Sequence, residues 1–455
     1  MAEHLSVRRL ERKLHLSTLE GMVNGAMQGA GEQFTSAYAI ALGATNGQLA
    51  ILVSLPRLTA AVAQGTAARL GRVMGHRKRW AVAFALGQDL MWLPILFAGF
   101  HVLGERYAVY WLIASLMAYT AFSAVAAVVW GSIMSEVVPS RIRGRYFGGR
   151  SRWSTVANML AFLGAGLLLF LLRDEGMLGF SVVFGLAFLF RAVSAGLLTT
   201  LPEAPHASQS EGSLGLGTFL RQLPTTSLGR MLLYLYCLSF GVNVASPYFT
   251  PYLLRELGLS YLTFTILEIG TIGATILSVT HWGAVADKAG NQKVLRICGV
   301  LIGLVPLLWV VSPNVVWLGF VHFYSGVVWA GFNLVSVNYI YDATPPQQRM
   351  AYLGYYNAGA GLAVALGALT GGVLIRYMPP FLGSPILGMF ILSGTLRLLA
   401  GAVFLPGIKE VRKVRTVKAA ELFHILLGGN SVHQPSHHGR TPRGFHLHGH
   451  RDEQV

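Results

Sequence analysis

The chain has 455 residues, 53% hydrophobic and 12% charged, with a mean hydropathy of +0.54 and a formal net charge of +16. A water-soluble chain carries about 25% charged residues to cover its surface, so much of this surface does not face water. The apolar content excludes a disordered chain, and two cysteines, Cys237 and Cys298, exclude a disulfide scaffold. A nucleic-acid binder would account for the charge but not for the hydrophobicity. What remains is an all-α integral membrane protein with its positive charge outside the lipid.

Residues 1–18 are basic and Leu-spaced (Leu5, Leu10, Leu14 with Arg9, Arg12, Lys13), the pattern of a helix lying on an anionic leaflet. They lack the apolar core and small-residue site of a cleavable signal peptide, so the first span is expected to act as its own insertion signal. A spanning helix needs about 20 mostly apolar residues. Twelve such windows are predicted, at 19–42, 47–70, 80–103, 108–136, 152–172, 178–201, 229–254, 260–284, 294–311, 315–341, 351–376 and 383–405. With the N-terminus inside, 28 of the 35 Lys and Arg fall on the inner side and four (Arg106, Arg173, Arg255, Arg376) on the outer. That bias places both termini in the cytoplasm and supports the count of twelve.

Span one carries Asn24, Gln28 and Glu32 at a four-residue spacing, continued by Thr35. This polar stripe on an apolar helix is expected to face a bundle interior or a water-filled cavity. Arg57 lies at mid-depth in span two, Asp89 in span three and Glu268 in span eight, while His322 lies in the outer part of span ten. Span four offers Tyr119, Ser123 and Trp130; span seven offers Ser239, Asn243, Ser246 and Thr250, with Pro247 and Pro251 placed to break the helix; span ten adds Ser325, Trp329, Ser336 and Tyr339. Gly21, Gly25 and Gly29 on span one, and Gly359, Gly361, Gly367 and Gly371 on span eleven, have the spacing of close helix contacts.

A long-period repeat divides the chain. Glu136, Pro139, Arg143 and Tyr146 recur as Asp342, Pro345, Arg349 and Tyr352 at an offset of 206, and Arg191 of span six recurs as Arg397 of span twelve. Features present in both halves read as scaffold, each Arg pairing with an acid or carbonyl of its own half. The halves are residues 19–201 and 229–405, joined by a polar cytoplasmic linker, 202–228, and followed by a basic, disordered tail, 406–455, that holds seven of the 14 His. No Cys or clustered carboxylate joins those His, so no metal is expected.

Two parallel six-helix halves are a transporter plan with the site at mid-membrane. Here the sequence resembles the major facilitator superfamily over about 19–405. The most specific match, Gly283-Ala-Val-Ala-Asp287-Lys288-Ala-Gly290-Asn-Gln-Lys293, follows the superfamily's inner-loop signature, Gly-x-x-x-Asp-(Arg/Lys)-x-Gly-x-(Arg/Lys)-(Arg/Lys). Its first-half counterpart keeps Gly75 and the basic run Arg77-Lys78-Arg79 but has Arg72 where the Asp should stand. The resemblance implies that these loops, with Arg143 and Arg349, gate the inner side, and that helices one, four, seven and ten line the cavity, the helices on which the polar stripes fall.

Glu32 leads as a proton- or cation-coupling residue, with Glu268 and Asp89 next; the alternative is a permanent ion pair of Glu32 or Asp89 with Arg57. Asn24, Gln28, Arg57, Tyr119, Trp130, Asn243, His322 and Trp329 are the candidate cavity residues. No nucleophile elbow, metal-ligand helix or phosphate loop supports an enzyme or an ATP-driven pump. The function expected is secondary active transport of a small organic solute, proton-coupled efflux of amphipathic or drug-like compounds slightly ahead of metabolite uptake, with a membrane receptor or enzyme a distant alternative. The expected partners are the solute, protons or another coupling ion, and anionic lipid, without cofactor or nucleic acid, acting as a monomer in the cell membrane.

Overall fold

The computed structural model describes residues 2–70, 76–100, 104–139, 142–200, 215–345 and 348–411. Among these the long elements are all helices, and the β pairing is an isolated bridge between Phe381 and Ser384. Span one is the helix Ala2–Ala30, a 3-10 turn Glu32–Phe34 and a short helix Thr35–Ala41. Span two is Asn46–Leu70, span three Arg77–Leu90 with Trp92–Phe97, span four Glu105–Val137, span five Arg143–Leu171 and span six Leu178–Leu198. Span seven is Ser227–Ala245, continued in irregular turns to Glu256; span eight is Tyr261–Ala289, span nine Asn291–Val311, span ten Val315–Ala343, span eleven Arg349–Leu374 and span twelve Pro385–Phe404. Ten stretches among the described residues, from Arg77–Phe100 to Pro385–Gly407, are long and apolar enough to cross a membrane. The remaining two long helices, spans one and two, are diluted by Asn24, Gln28, Glu32 and Arg57, yet they pack within the same bundle.

Residues 2–18, expected on the membrane surface, continue the helix of span one. Ser17 and Glu20 are already buried, at 1% and 4% exposure. Span seven departs from the helix where the two prolines predict it. Pro247 opens a 3-10 turn, Pro251 follows, and Tyr252–Glu256 form one wider turn.

Glycine sets the closest helix contacts. A Cβ at Gly25 or Gly29 of span one would overlap the carbonyl oxygen of Ser154 or Asn158 on span five. In the second half the partners are exchanged, since Gly367 and Gly371 of span eleven lie on the carbonyls of Phe240 and Val244 of span seven. The repeated acids also recur in structure. Glu136, at the end of span four, pairs with Arg77 at the start of span three (2.7 Å), and Asp342, at the end of span ten, accepts from Asn291 at the start of span nine (2.7 Å).

The described part of the linker and the first residues after span twelve dock on the second half. Phe219, on the short helix Leu216–Gln222, stacks on Tyr355 of span eleven at 4.5 Å. The Lys409 carbonyl accepts from Tyr339 (2.6 Å), and the Gln292 N–H donates to Glu410 (2.8 Å). Residues 201–214 and 412–455, most of the linker and tail, lie outside the described residues.

The two halves pack most tightly at one end. Far from the termini, spans two and eleven touch at Ala50 and Gly372, spans five and eight at Gly166 and Thr265, and Arg255 donates to the Ala44 carbonyl at 2.8 Å. The large apolar core at this far end draws side chains from both halves. At the basic end, where the first and last described helices lie, the apolar cores are separate, each built from one half alone. Among the described residues the halves thus share a core at the far end and keep separate cores at the basic end, with spans two and eleven still adjacent at Ala61 and Gly361 between the two. Gly29→Val is expected to force span one off span five and cost about 1–3 kcal/mol, read as a lowered Tm in detergent, with Gly367→Val doing the same in the second half.

Candidate functional site

Span one breaks where its polar stripe reaches Glu32. The α-helix stops at Ala30, and the Thr35 hydroxyl bonds back to the Glu32 carbonyl at 2.8 Å, stabilising the 3-10 turn. Glu32 therefore sits at an irregular point of the backbone, partly accessible, with Tyr119 of span four donating to Oε1 at 2.6 Å. The same hydroxyl lies 3.2 Å from the Met27 sulfur. Arg57 of span two is exposed and within electrostatic reach of Glu32. The ion pair considered as an alternative is not formed, because Glu32 is held by a phenol and Asp89 lies by Arg191.

Arg191 is the hub of this half. It is 4% exposed and donates from Nη1 to Asn24 Oδ1 (3.2 Å) and Ser194 Oγ (2.8 Å). Ser194 donates to Glu20 Oε1 (2.9 Å), whose Oε2 takes an ion pair from Arg150 at 2.7 Å. The Arg150 guanidinium lies over the Trp130 ring, 4.2 Å from its centroid, and its Nε donates to the Ser17 carbonyl. Asp89, 3% exposed, and Glu32 are both within the electrostatic reach of Arg191. Buried charge is tolerable here because each sign is met by the other and by hydrogen bonds.

The structure thus gathers Asn24, Glu32, Asp89, Tyr119 and Trp130 around a residue expected to be scaffold, and adds Glu20 and Arg150. Glu20 escapes a reading of the sequence because it looks like a flank of span one. It lies four residues before Asn24, so the stripe runs one turn further than its uncharged part indicates. Gln28 falls between Asn24 and Glu32 on the same stripe.

The second half is built differently. Arg397, 2% exposed, donates to Ser393 Oγ (3.0 Å) and the Ile302 carbonyl (3.3 Å), the carbonyl alternative of the predicted pairing. Asn243 donates to Ser239 of its own helix at 2.8 Å. His322, 5% exposed, is turned into the packing of spans eight to ten, with Nδ1 2.9 Å from Thr271 Oγ1 and its ring 5.1 Å from Trp309. Trp329 packs edge-on to Phe332 at 5.7 Å. Glu268 lies on span eight, one turn from Phe264. These residues are not brought into the Arg191 cluster.

Of the loop residues, Arg72 and Gly75 lie outside the described residues, and Arg143 opens span five. Arg77 is engaged within its own half by Glu136 and Ser132, and Arg349 by the Thr344 carbonyl and the Tyr341 ring. Asp287 and Lys288 are exposed at the basic end of span eight, with Gly283 a turn earlier and Lys293 in the first turn of span nine. Gly290 joins the two helices at φ +93°, a conformation that favours glycine. Among the described residues no group of three or more His, Cys, Asp or Glu is placed to hold a metal ion.

Apolar helices in two six-helix halves, with a buried charged cluster in the first, define a multi-pass membrane protein. The sequence profile of the Major Facilitator Superfamily matches residues 231–435. The fold superposes on the nucleoside transporter NupG (TM-score 0.66, 14% identity, 88% of this chain and 99% of the other). It also superposes on the inward-open xylose transporter XylE of E. coli (TM-score 0.66, 15% identity, 92% and 100%). Residues 231–435 are thus similar to the Major Facilitator Superfamily, and the chain as a whole shares its fold with these two transporters. A curated relative, the multi-drug resistance efflux pump PmrA of Streptococcus pneumoniae serotype 4, is 27% identical over 192 residues, 40% of this chain. The chain spans about half the length of that relative, 46% of it.

Removing one member of the Glu20–Arg150 pair leaves the other buried. Glu20→Ala and Arg150→Ala are each expected to cost about 3–5 kcal/mol, and the double variant less than their sum, as read by a double-mutant cycle of thermal unfolding.

Proposed function

We propose that the chain is a secondary active transporter that moves a small organic solute by alternating access and couples that movement to protons through Glu32. The carrying observation is Glu32 itself: a carboxylate at a helix break, held by one phenol, between a core shared by both halves and the end where each half has its own. A carboxylate so placed can exchange its proton with one side at a time as the halves rock. Glu268, half-buried on span eight of the other half, is the second acid of this reading, and Asp89, within reach of Arg191, the third. Asn24, Gln28, Arg57, Tyr119, Trp130, Asn243 and Trp329 are the residues from which the solute's path is drawn. The basic end is the cytoplasmic side of the cell membrane, with both termini there, and its Lys and Arg meet anionic lipid. Asp287, Lys288 and Lys293, with Arg77, Arg143 and Arg349, close that end in the opposite state.

Export of amphipathic, drug-like compounds is the reading supported by the similarity to a multidrug efflux pump. Uptake of a small metabolite is the second reading, supported by the fold shared with a nucleoside and a xylose transporter. Dye-loaded proteoliposomes separate them by the direction in which an imposed proton gradient drives flux. Glu32→Gln replaces the carboxyl by a carboxamide of the same shape and removes the titratable proton. It is expected to abolish gradient-driven accumulation while leaving solute exchange at equal pH. Gradient-driven accumulation unchanged in Glu32→Gln ends the assignment of Glu32 as the coupling residue.

A further inference from the structure

One contact that closes the far end is aromatic, and it begins two residues from Glu32. Phe34, Phe162 and Phe264, from spans one, five and eight, lie with ring centroids 5.0, 6.3 and 6.2 Å apart. They are 0%, 1% and 4% exposed. Two belong to the first half and one to the second, so the rings fill the seam between bodies that must separate for the far end to open. The seam is tight beside them, since Gly166 of span five leaves no room for a Cβ against Thr265. Phe34 ends the 3-10 turn that Glu32 begins, so the carboxylate and the ring move on one short piece of backbone. On the other side of the seam, Glu268 stands one turn from Phe264 on the same helix face.

A second chain of rings starts at the same carboxylate. Tyr119, the donor to Glu32, packs on Trp92 at 5.0 Å, and Trp92 stacks on Phe184 at 5.6 Å. Phe184 stacks on Phe180 (6.1 Å), which meets Tyr261 of span eight edge-on at 5.4 Å. Both routes run from Glu32 to span eight across the seam. Packed rings of this kind have discrete arrangements and do not deform smoothly, which lets a local change move a whole contact.

We infer that Phe34, Phe162 and Phe264 form the gate that seals the transport site from the far side, and that Phe34 is the positioning residue through which Glu32 acts on it. The inference rests on the reading of Glu32 as the coupling residue. A dry aromatic plug denies the site to water and ions from that side without a fixed charge pair, so it parts without leaving charges unpaired in the membrane. The charged and titratable groups facing Glu32 are Tyr119 from span four, Arg57 from span two and Arg191 from span six, and Arg191 is shared with Asp89 from span three. When Glu32 takes up a proton, its pull on Tyr119, Arg57 and Arg191 falls, the 3-10 turn is freed to change register, and Phe34 leaves the seam.

The test uses the full chain in lipid nanodiscs with Cys237 and Cys298 replaced by Ser. Spin labels at Thr45→Cys and Tyr377→Cys, exposed positions at the far end of the two halves, report the separation by pulsed electron resonance at neutral and mildly acidic pH. The parent is expected to show a short distance at neutral pH and a several-fold larger long-distance population on acidification. Phe34→Ala is expected to show the long-distance population already at neutral pH and little further response to acid. Phe162→Ala is expected to open the seam but keep the acid response, and Phe320→Ala, at a ring exposed on the outer surface, to match the parent. If Phe34→Ala does not fold, Phe34→Leu, which keeps apolar bulk without the ring contacts, is read by the same criteria. A parent-like distribution and acid response at Phe34 overturns the inference. If Phe34→Ala opens the seam while Glu32→Gln leaves the parent's acid response intact, the gate stands and its link to Glu32 is overturned. Failure of the transport reading appears separately, as a parent that moves no solute under a gradient in proteoliposomes.

Discussion

A guanidinium inside a membrane bundle is the constraint around which the first half is arranged. An uncompensated charge there costs about 2.5–3.5 kcal/mol by insertion scales and more by others, so Arg191 must be surrounded. Span one supplies Asn24 and Glu20 to it, the latter through Ser194, and spans three and four bring Asp89 and the Tyr119–Glu32 pair within its field. That convergence is possible because Gly25 and Gly29 let span one lie directly on the backbone of span five. Small residues on one face and charge on the other are two sides of one packing solution, and Glu32 is the carboxylate of it that stays partly accessible.

The halves share a plan and differ in chemistry. Each ties its third helix to its fourth by the repeated acid, but as an ion pair in one (Arg77–Glu136) and an amide–carboxylate bond in the other (Asn291–Asp342). Each buries an Arg at the equivalent place, with carboxylates near Arg191 and only hydroxyl and carbonyl oxygens hydrogen-bonded to Arg397 among the described contacts. The first half therefore concentrates the groups that can exchange charge. The second, clamped at its basic end by Phe219, Gln292 and the segment that runs to Glu410, has the form of a body that moves as a unit.

Much of this is legible in the chain. Apolar windows of spanning length, the one-sided distribution of Lys and Arg, and the offset shared by Glu136–Asp342 and Arg191–Arg397 define the two-half architecture, since each is a property of spacing along the sequence. The stripe on span one likewise points to Glu32. His322 shows the limit of such reading. Its position on span ten is plain, but its rotation about the helix, away from the Arg191 cluster and onto Thr271 and Trp309, is set by how spans eight to ten pack. Glu20 shows the converse, because an acid near a helix end reads as solvated until a guanidinium from span five is seen to reach it.

The sequence by itself determined that the chain is a twelve-span helical protein in two repeated halves, because hydrophobic length and charge sorting are local and need no knowledge of neighbours. The tertiary structure alone decided which of its buried charges meet, where span one gives up its helix, and at which end the halves share a core. Those depend on helix rotation and on contacts between residues more than a hundred positions apart, such as Arg191 with Asn24 across 167 positions and Ser194 with Glu20 across 174. No spacing rule reaches that far, because the partner of a side chain is chosen by packing in three dimensions.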